Sequence, residues 1–261
     1  FGCACCPSNV SRFIPSLPGY VYAVKDNQVY VNLYLSNKAE LIINKKKVVL
    51  EQETGYPWNG DIRVKVAQGN QEFALKLRIP GWVRNEVLPS DLYSYADNQK
   101  PTYRIIVNGQ ETANTLNNGY LSIERKWKKG DVVKIHFDML PRIVKANEKV
   151  VDDKGRVSVE RGPIVYCAEW PDNKCNVHTV LLNQHPQFKV VEKPELLYGI
   201  SQLKTDAQAL SYDKNGKLIT KDTELTLIPY YAWAHRGEGD MEVWLPIDVS
   251  AASALPQEVQ K

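Results

Sequence analysis

Tyr20-Val21-Tyr22-Ala23-Val24, then Asp26-Asn27-Gln28, then Val29-Tyr30-Val31-Asn32-Leu33-Tyr34-Leu35, alternates apolar and polar side chains around a short polar break. Successive side chains of a strand point to opposite faces, so this period of two marks half-buried strands joined as a hairpin. Similar strand candidates run over 39–44, 47–53, 61–67, 72–79, 103–107, 120–125 and 131–137. Asn108-Gly109 is a strong turn signal, because both residues tolerate positive φ. A second set covers 156–160, 162–166, 179–182, 188–191, 200–203, 225–234 and 241–246. No stretch keeps helical periodicity over three turns. Short strands with turns every ~8–12 residues predict an all-β chain of two consecutive antiparallel β-sandwich (jelly-roll-like) domains.

The charged, poorly periodic stretch after Pro141, ending in the turn cluster Asp152-Asp153-Lys154-Gly155, places a domain boundary there. The expected organisation is a cysteine-bearing segment over 1–18, a first sandwich over 19–142, a second over 143–249 and a polar tail over 250–261. The looser Asp/Ser/Asn-rich stretch after Pro80-Gly81-Trp82 falls within the first sandwich on this reading.

With 261 residues, 43% hydrophobic and 24% charged, the chain can bury one large or two ordinary cores, and its composition argues against disorder. The net charge is +3 with both signs interspersed. The basic runs Lys45-Lys46-Lys47 and Lys126-Trp127-Lys128-Lys129 read as lysines on turns and strand ends, and no nucleic-acid-binding motif accompanies them. No apolar run approaches the roughly 20 residues of a membrane-spanning helix.

Three of five cysteines crowd into Phe1-Gly2-Cys3-Ala4-Cys5-Cys6-Pro7-Ser8-Asn9. Thiolates this close are costly unless a soft metal, a disulfide or a nucleophilic reaction uses them. Spacing alone leaves metal binding and free thiols both open. A tetrahedral zinc site needs four ligands, or three with an open position, and this strip offers at most three sulfurs. Ser8 or Asn9 is a candidate helix N-cap after Pro7, and a helix start beside Cys5 and Cys6 would favour thiolate; the plainer alternative is a short structural helix ending before Pro15. Cys167, within Pro163-Ile164-Val165-Tyr166-Cys167-Ala168, reads as a buried core residue, and Cys175 as exposed; a disulfide between them is the alternative. The loop His235-Arg236-Gly237-Glu238-Gly239-Asp240, with Trp233 beside it, reads as a hairpin turn before a sugar or calcium loop. Trp58 reads as core or interdomain before sugar platform, and Glu160-Arg161 as an ion pair or turn anchor. No phosphate-binding glycine loop, nucleophile elbow or HExxH pattern occurs.

The run Phe1-Gly2-Cys3-Ala4-Cys5-Cys6-Pro7-Ser8-Asn9-Val10-Ser11-Arg12 resembles the cysteine motif of glycoside hydrolase family 127, the bacterial β-L-arabinofuranosidases. Val157-Ser158-Val159-Glu160-Arg161-Gly162-Pro163-Ile164-Val165-Tyr166 and Pro229-Tyr230-Tyr231-Ala232-Trp233-Ala234-His235-Arg236-Gly237 resemble that family's C-terminal region, in the same order. The resemblance implies an (α/α)6 barrel with a zinc held by a glutamate and three cysteines, followed by two β-sandwiches. It makes Cys5 the nucleophile and a zinc-bound sulfur, and Cys6 a further zinc ligand; Cys3 receives no role. Zinc would keep the sulfur as thiolate and make it a better leaving group.

The family's acid/base glutamate and remaining zinc ligands lie upstream of the motif. The chain therefore reads as the C-terminal portion of such an enzyme. Its expected partners are that upstream barrel and, through the complete enzyme, L-arabinofuranose-containing glycans, with neither nucleic acid nor a membrane span. The zinc site is expected to be absent or incomplete in this chain, and the isolated chain inactive, since retaining hydrolysis needs both nucleophile and acid/base. The runner-up is a non-catalytic carbohydrate-binding or structural β-sandwich module. A metal-binding protein in its own right is a third reading, which predicts stoichiometric zinc. The compartment, periplasmic or cytoplasmic, stays open.

Overall fold

The computed structural model describes residues 5–97, 99–112 and 115–252. The chain begins with the helix Cys5–Ser16, followed by a single turn, Pro18–Val21. The helix starts before the anticipated cap: Ser8 Oγ donates to the Cys5 carbonyl at 3.0 Å, and Asn9 Oδ1 accepts from Arg12 at 3.0 Å. Pro7 fits the first turn because its missing N–H would have no intrahelical acceptor there. The helix also runs through Pro15 instead of stopping before it.

Two compact units follow the strand pattern, one formed by Phe1–Arg84 with Pro101–Asp138 and the other by Asn85–Lys100 with Met139–Lys261. In the first, one sheet orders as Tyr22–Lys25, Gln28–Val31, Asn70–Arg78, Tyr120–Lys128 and Leu116–Asn117. The other orders as Asn37–Ile43, Lys46–Thr54, Asp61–Gln68, Val132–Phe137, Tyr103–Val107 and Gln110–Glu111. The opening hairpin forms with Tyr22 opposite Val31, turning at Asp26 with φ of 51°. Asn108 and Gly109 turn with φ of 50° and 86°, the pair of positive values that their types permit. Gln28–Val31 pairs parallel to Asn70–Arg78. A parallel pair needs a long crossover, and here the chain makes three strands of the other sheet between the two.

The apolar set of each strand turns inward: Val29, Val31, Leu75, Leu77 and Leu121 from one sheet, Ile62, Val64, Ile105, Ile135 and Phe137 from the other. Trp127 is fully buried, and its indole N–H donates to the Phe73 carbonyl at 3.0 Å, which satisfies its one polar group.

The second unit is one antiparallel sheet folded around its own core. Its path runs Val180–Leu182, Ile200–Tyr212, Leu218–Pro229, Ile164–Glu169, Arg156–Arg161, Pro141–Ala146 and Tyr93–Tyr95. Lys189–Lys193 pairs with residues 200–204 of the long strand, whereas Val180–Leu182 pairs with residues 207–209, so the sheet divides there. Met241–Glu242 and Leu245–Pro246 add short edges beside Ile164–Glu169 and Arg156–Arg161. Val159, Tyr166, Leu203, Leu225 and Leu227 fill the interior. The architecture is thus all-β, with two consecutive β-sandwich domains.

Three details depart from the sequence reading. The stretch 85–100 supplies Tyr93–Tyr95 as an edge strand to the second unit, Tyr95 lying opposite Val144. Residues 141–146, read as a poorly periodic boundary, form a strand in which charged Arg142 is buried. The strand from Leu218 stops at Pro229 and gives way to a 3-10 turn over Tyr230–Ala232. No described helix is long and apolar enough to cross a membrane.

Candidate functional site

Cys5 and Cys6 occupy the first turn of the opening helix, both exposed, with Sγ atoms 3.7 Å apart. Two sulfurs each about 2.3 Å from one tetrahedral metal stand about 3.8 Å apart. The pair therefore fits two of the four corners of a zinc site. Among the described residues no group of three or more His, Cys, Asp or Glu is placed to hold a metal. Cys3 lies outside the described residues.

The other two cysteines are far from this chemistry. Cys167 is fully buried, and burial pushes its thiol up to about 12, which suits a core residue and not a nucleophile. Cys175 packs against the second core instead of standing exposed, and burial raises its thiol as well. Both are free thiols, so the alternative of a disulfide between them is excluded.

The last of the three segments that carried the family resemblance supplies Arg236 to a largely buried ionic cluster. Arg236 donates from Nε to Glu169 at 3.1 Å and from Nη1 to Asp172 at 2.9 Å, and its Nη2 contacts both carboxylates. Glu169 is only 1% exposed, and its other oxygen accepts the Ala234 N–H at 3.0 Å. His235 Nδ1 lies 3.2 Å from the Ala232 carbonyl, and the Trp233 ring stacks on Tyr230 with centroids 6.1 Å apart. Gly239 sits where an added Cβ would meet the Trp170 ring at 2.0 Å. The loop over 235–240 is thus a turn fixed by an arginine clamp and by close packing.

Glu160 accepts from the Tyr95 hydroxyl at 3.2 Å, and burial raises its carboxyl above the usual range. It faces Arg142 and Val165 on the neighbouring strands, and Arg161 faces Ile164 and Pro141. Trp58 follows the cis Tyr56–Pro57 bond and is half-exposed.

The sequence reading passed over a polar groove of about 630 Å³ on the outer face of the six-stranded sheet in the first unit. Asp61, His136 and Arg104 stand in one cross-strand row, and Arg63, Lys134 and Ile106 in the next. His136 bridges Asp61 at 2.7 Å and Asp138 at 3.3 Å, and Arg63 pairs with Glu53 at 2.8 Å. The available signal was the alternation itself, since each of these residues flanks a buried apolar neighbour. The strand pairing needed to bring the rows together was not readable from spacing.

Comparison with known proteins places the chain. Residues 28–139 match the family described as "Beta-L-arabinofuranosidase, GH127 middle domain", and residues 141–246 match the "Glycoside hydrolase family 127 C-terminal domain". A non-reducing end beta-L-arabinofuranosidase from Bifidobacterium longum subsp. longum is 30% identical over 94% of this chain and 37% of its own length. The solved structure of a GH127 beta-arabinofuranosidase is 80% identical, superposes with a TM-score of 0.96 and is matched over 98% of this chain and 40% of that one. That of a GH127 beta-L-arabinofuranosidase from Geobacillus stearothermophilus T6 is 33% identical, with a TM-score of 0.82 over 94% of this chain and 38% of that one. The chain spans about two fifths of these relatives, from 37% to 40% of their lengths. It belongs to glycoside hydrolase family 127 and carries that family's middle and C-terminal β domains.

Proposed function

We propose that this chain serves as the C-terminal part of a retaining β-L-arabinofuranosidase, in which Cys5 is the nucleophile and Cys5 and Cys6 contribute two sulfurs to a zinc site. The observation that carries the reading is the exposed Cys5–Cys6 pair at 3.7 Å, in a chain whose relatives are beta-L-arabinofuranosidases. The bound zinc would supply charge stabilisation to the sulfur, both as nucleophile and as leaving group. Cys5 Sγ would form a bond to the anomeric carbon as the glycosidic C–O bond breaks, the departing oxygen taking a proton from an acid outside these two domains. Water, deprotonated by that same group, would then displace the sulfur with overall retention. The helix that presents the pair belongs to the first unit, and on this reading the proton donor comes from outside these two domains.

The test compares the 261-residue chain with the same chain joined to its upstream barrel, using an aryl β-L-arabinofuranoside with and without zinc. The isolated chain is expected to give no turnover, and the joined protein to lose turnover on Cys5→Ala. Turnover by the isolated chain, or by the joined Cys5→Ala protein, would overturn the proposal. A second reading, a non-catalytic carbohydrate-binding module, is favoured by the polar groove on the first sandwich.

A further inference from the structure

We propose that the groove on the outer face of the six-stranded sheet binds an oligosaccharide through a carboxylate, held between Arg104 and Lys134. The argument begins with the pleat. Ile62, Ile105, Ile135 and Phe137 are buried on the inner face, so the residues alternating with them must stand outward. Arg104 lies opposite His136, and Lys134 is two residues along the same strand, so the two cations are diagonal neighbours. Diagonal positions on adjacent strands are about 7–8 Å apart, which long side chains span to meet on one carboxylate. Gly55 and Asn59, from the loop that carries half-exposed Trp58, form the groove's wall.

Charge pairing within the groove singles out these two residues. Arg63 is engaged by Glu53, and His136 by Asp61 and Asp138. The side chains of Arg104 and Lys134 make no hydrogen bond or ion pair among the described residues, although they line the same groove. An arginine fork takes a carboxylate through two parallel N–H bonds, and a lysine beside it adds a point charge.

The remaining lining defines the rest of the ligand. Glu53 and Asp61 expose carboxylates that can accept hydrogen bonds from hydroxyls, and they would repel a uniformly charged polyanion. An isolated carboxylate among many hydroxyls is the chemistry of a uronic-acid-bearing saccharide. This site is independent of Cys5 and needs no hydrolysis to be seen.

The experiment is calorimetric titration of the full chain at low ionic strength with glucuronosyl-xylobiose, which carries a single carboxylate, with neutral maltotriose and with polyglutamate. Glucuronosyl-xylobiose is expected to bind, and the double variant Arg104→Ala/Lys134→Ala to weaken it at least tenfold. Arg104→Lys should retain part of the affinity, and Lys45→Ala, on a distant turn, all of it. Because the substituted side chains are exposed, folding is checked by an unchanged urea transition. No binding, equal binding of maltotriose or polyglutamate, or binding indifferent to the double substitution would overturn the proposal. Each of those results leaves the role of Cys5 untouched, since that rests on turnover.

Discussion

The Arg142 guanidinium carbon lies 3.5 Å from the centre of the Tyr95 ring, so the edge strand Tyr93–Tyr95 is fastened to Pro141–Ala146 by a buried cation as well as by backbone pairing. Nη2 of the same group donates to Asp97 at 2.8 Å and to Asn85 at 2.7 Å, which ties residues 85–97 to this strand. Arg142→Ala removes the charge, the stacking partner and these donors together. Breaking a buried ion pair typically costs about 3–5 kcal/mol, and the partly exposed Asp97 places this case toward the lower end. Urea unfolding should register that loss. Arg142→Lys should recover only part of it, because an ammonium cannot lie flat on the ring and reach both partners.

Arg236 forms a second clamp on the same sheet, and its partner Glu169 is almost wholly buried. Arg236→Ala strands a carboxylate in the interior, so a loss of about 3–5 kcal/mol is expected. Adding Glu169→Gln should return part of it, since the amide oxygen can still accept the Ala234 N–H without an unpaired charge. A double-mutant cycle by urea unfolding checks this: strictly additive losses would show that the clamp carries no coupling.

The difference between these two arginines explains much of what alternation reveals and hides. Tyr103–Val107 and Asp61–Gln68 announce themselves through apolar residues at every second position, because one face of each meets the core. Tyr93–Tyr95 does not: it has three residues in an Asp/Ser-rich context, and it is fastened by Arg142, which lies far along the chain and is silent as a strand signal. Ile200–Tyr212 runs well beyond the stretch 200–203 read from the sequence, because its second half pairs with Leu218–Pro229 through polar residues such as Asp206 and Gln208. Cys5 and Cys6 stand out by chemistry alone. Arg104 and Lys134 become neighbours only through the register of two strands, which no local pattern encodes.

Two carboxyls should shape the pH dependence of stability in opposite senses. The Thr102 hydroxyl, with help from His136, holds Asp138 below the usual carboxylate range. Its contribution is therefore complete above the unfolded value of about 3.9 and is lost as pH falls through the lower folded value. Thr102→Val should move the acid-unfolding midpoint to higher pH. Burial raises Glu160, so its contribution is present below the unfolded value of about 4.3 and is lost as pH rises through the folded one. Glu160→Gln should consequently gain on the wild type between pH 4 and pH 7. Urea unfolding at several pH values checks both signs, and parallel curves for wild type and variant would contradict them.

Gly60 has no room for a side chain: a Cβ built there would lie 1.9 Å from the Phe137 carbonyl oxygen, a backbone atom that cannot swing aside. The Phe137 N–H in turn donates to the Gly60 carbonyl at 3.0 Å, so the two backbones are locked together at the end of the groove-forming strands. Gly60→Ala must push the 54–59 loop away from Val132–Phe137, and overpacking of this kind costs about 1–3 kcal/mol or more. That loop contributes Gly55 and Asn59 to the groove wall. The substitution should therefore lower the unfolding midpoint of the first unit and weaken glucuronosyl-xylobiose binding together, even though Arg104 and Lys134 are intact. Gly109→Ala provides the contrast, because open space surrounds that turn and only its positive φ resists a side chain. It should cost stability without changing the affinity that remains in the folded protein, and calorimetry on both variants separates the wall from the turn.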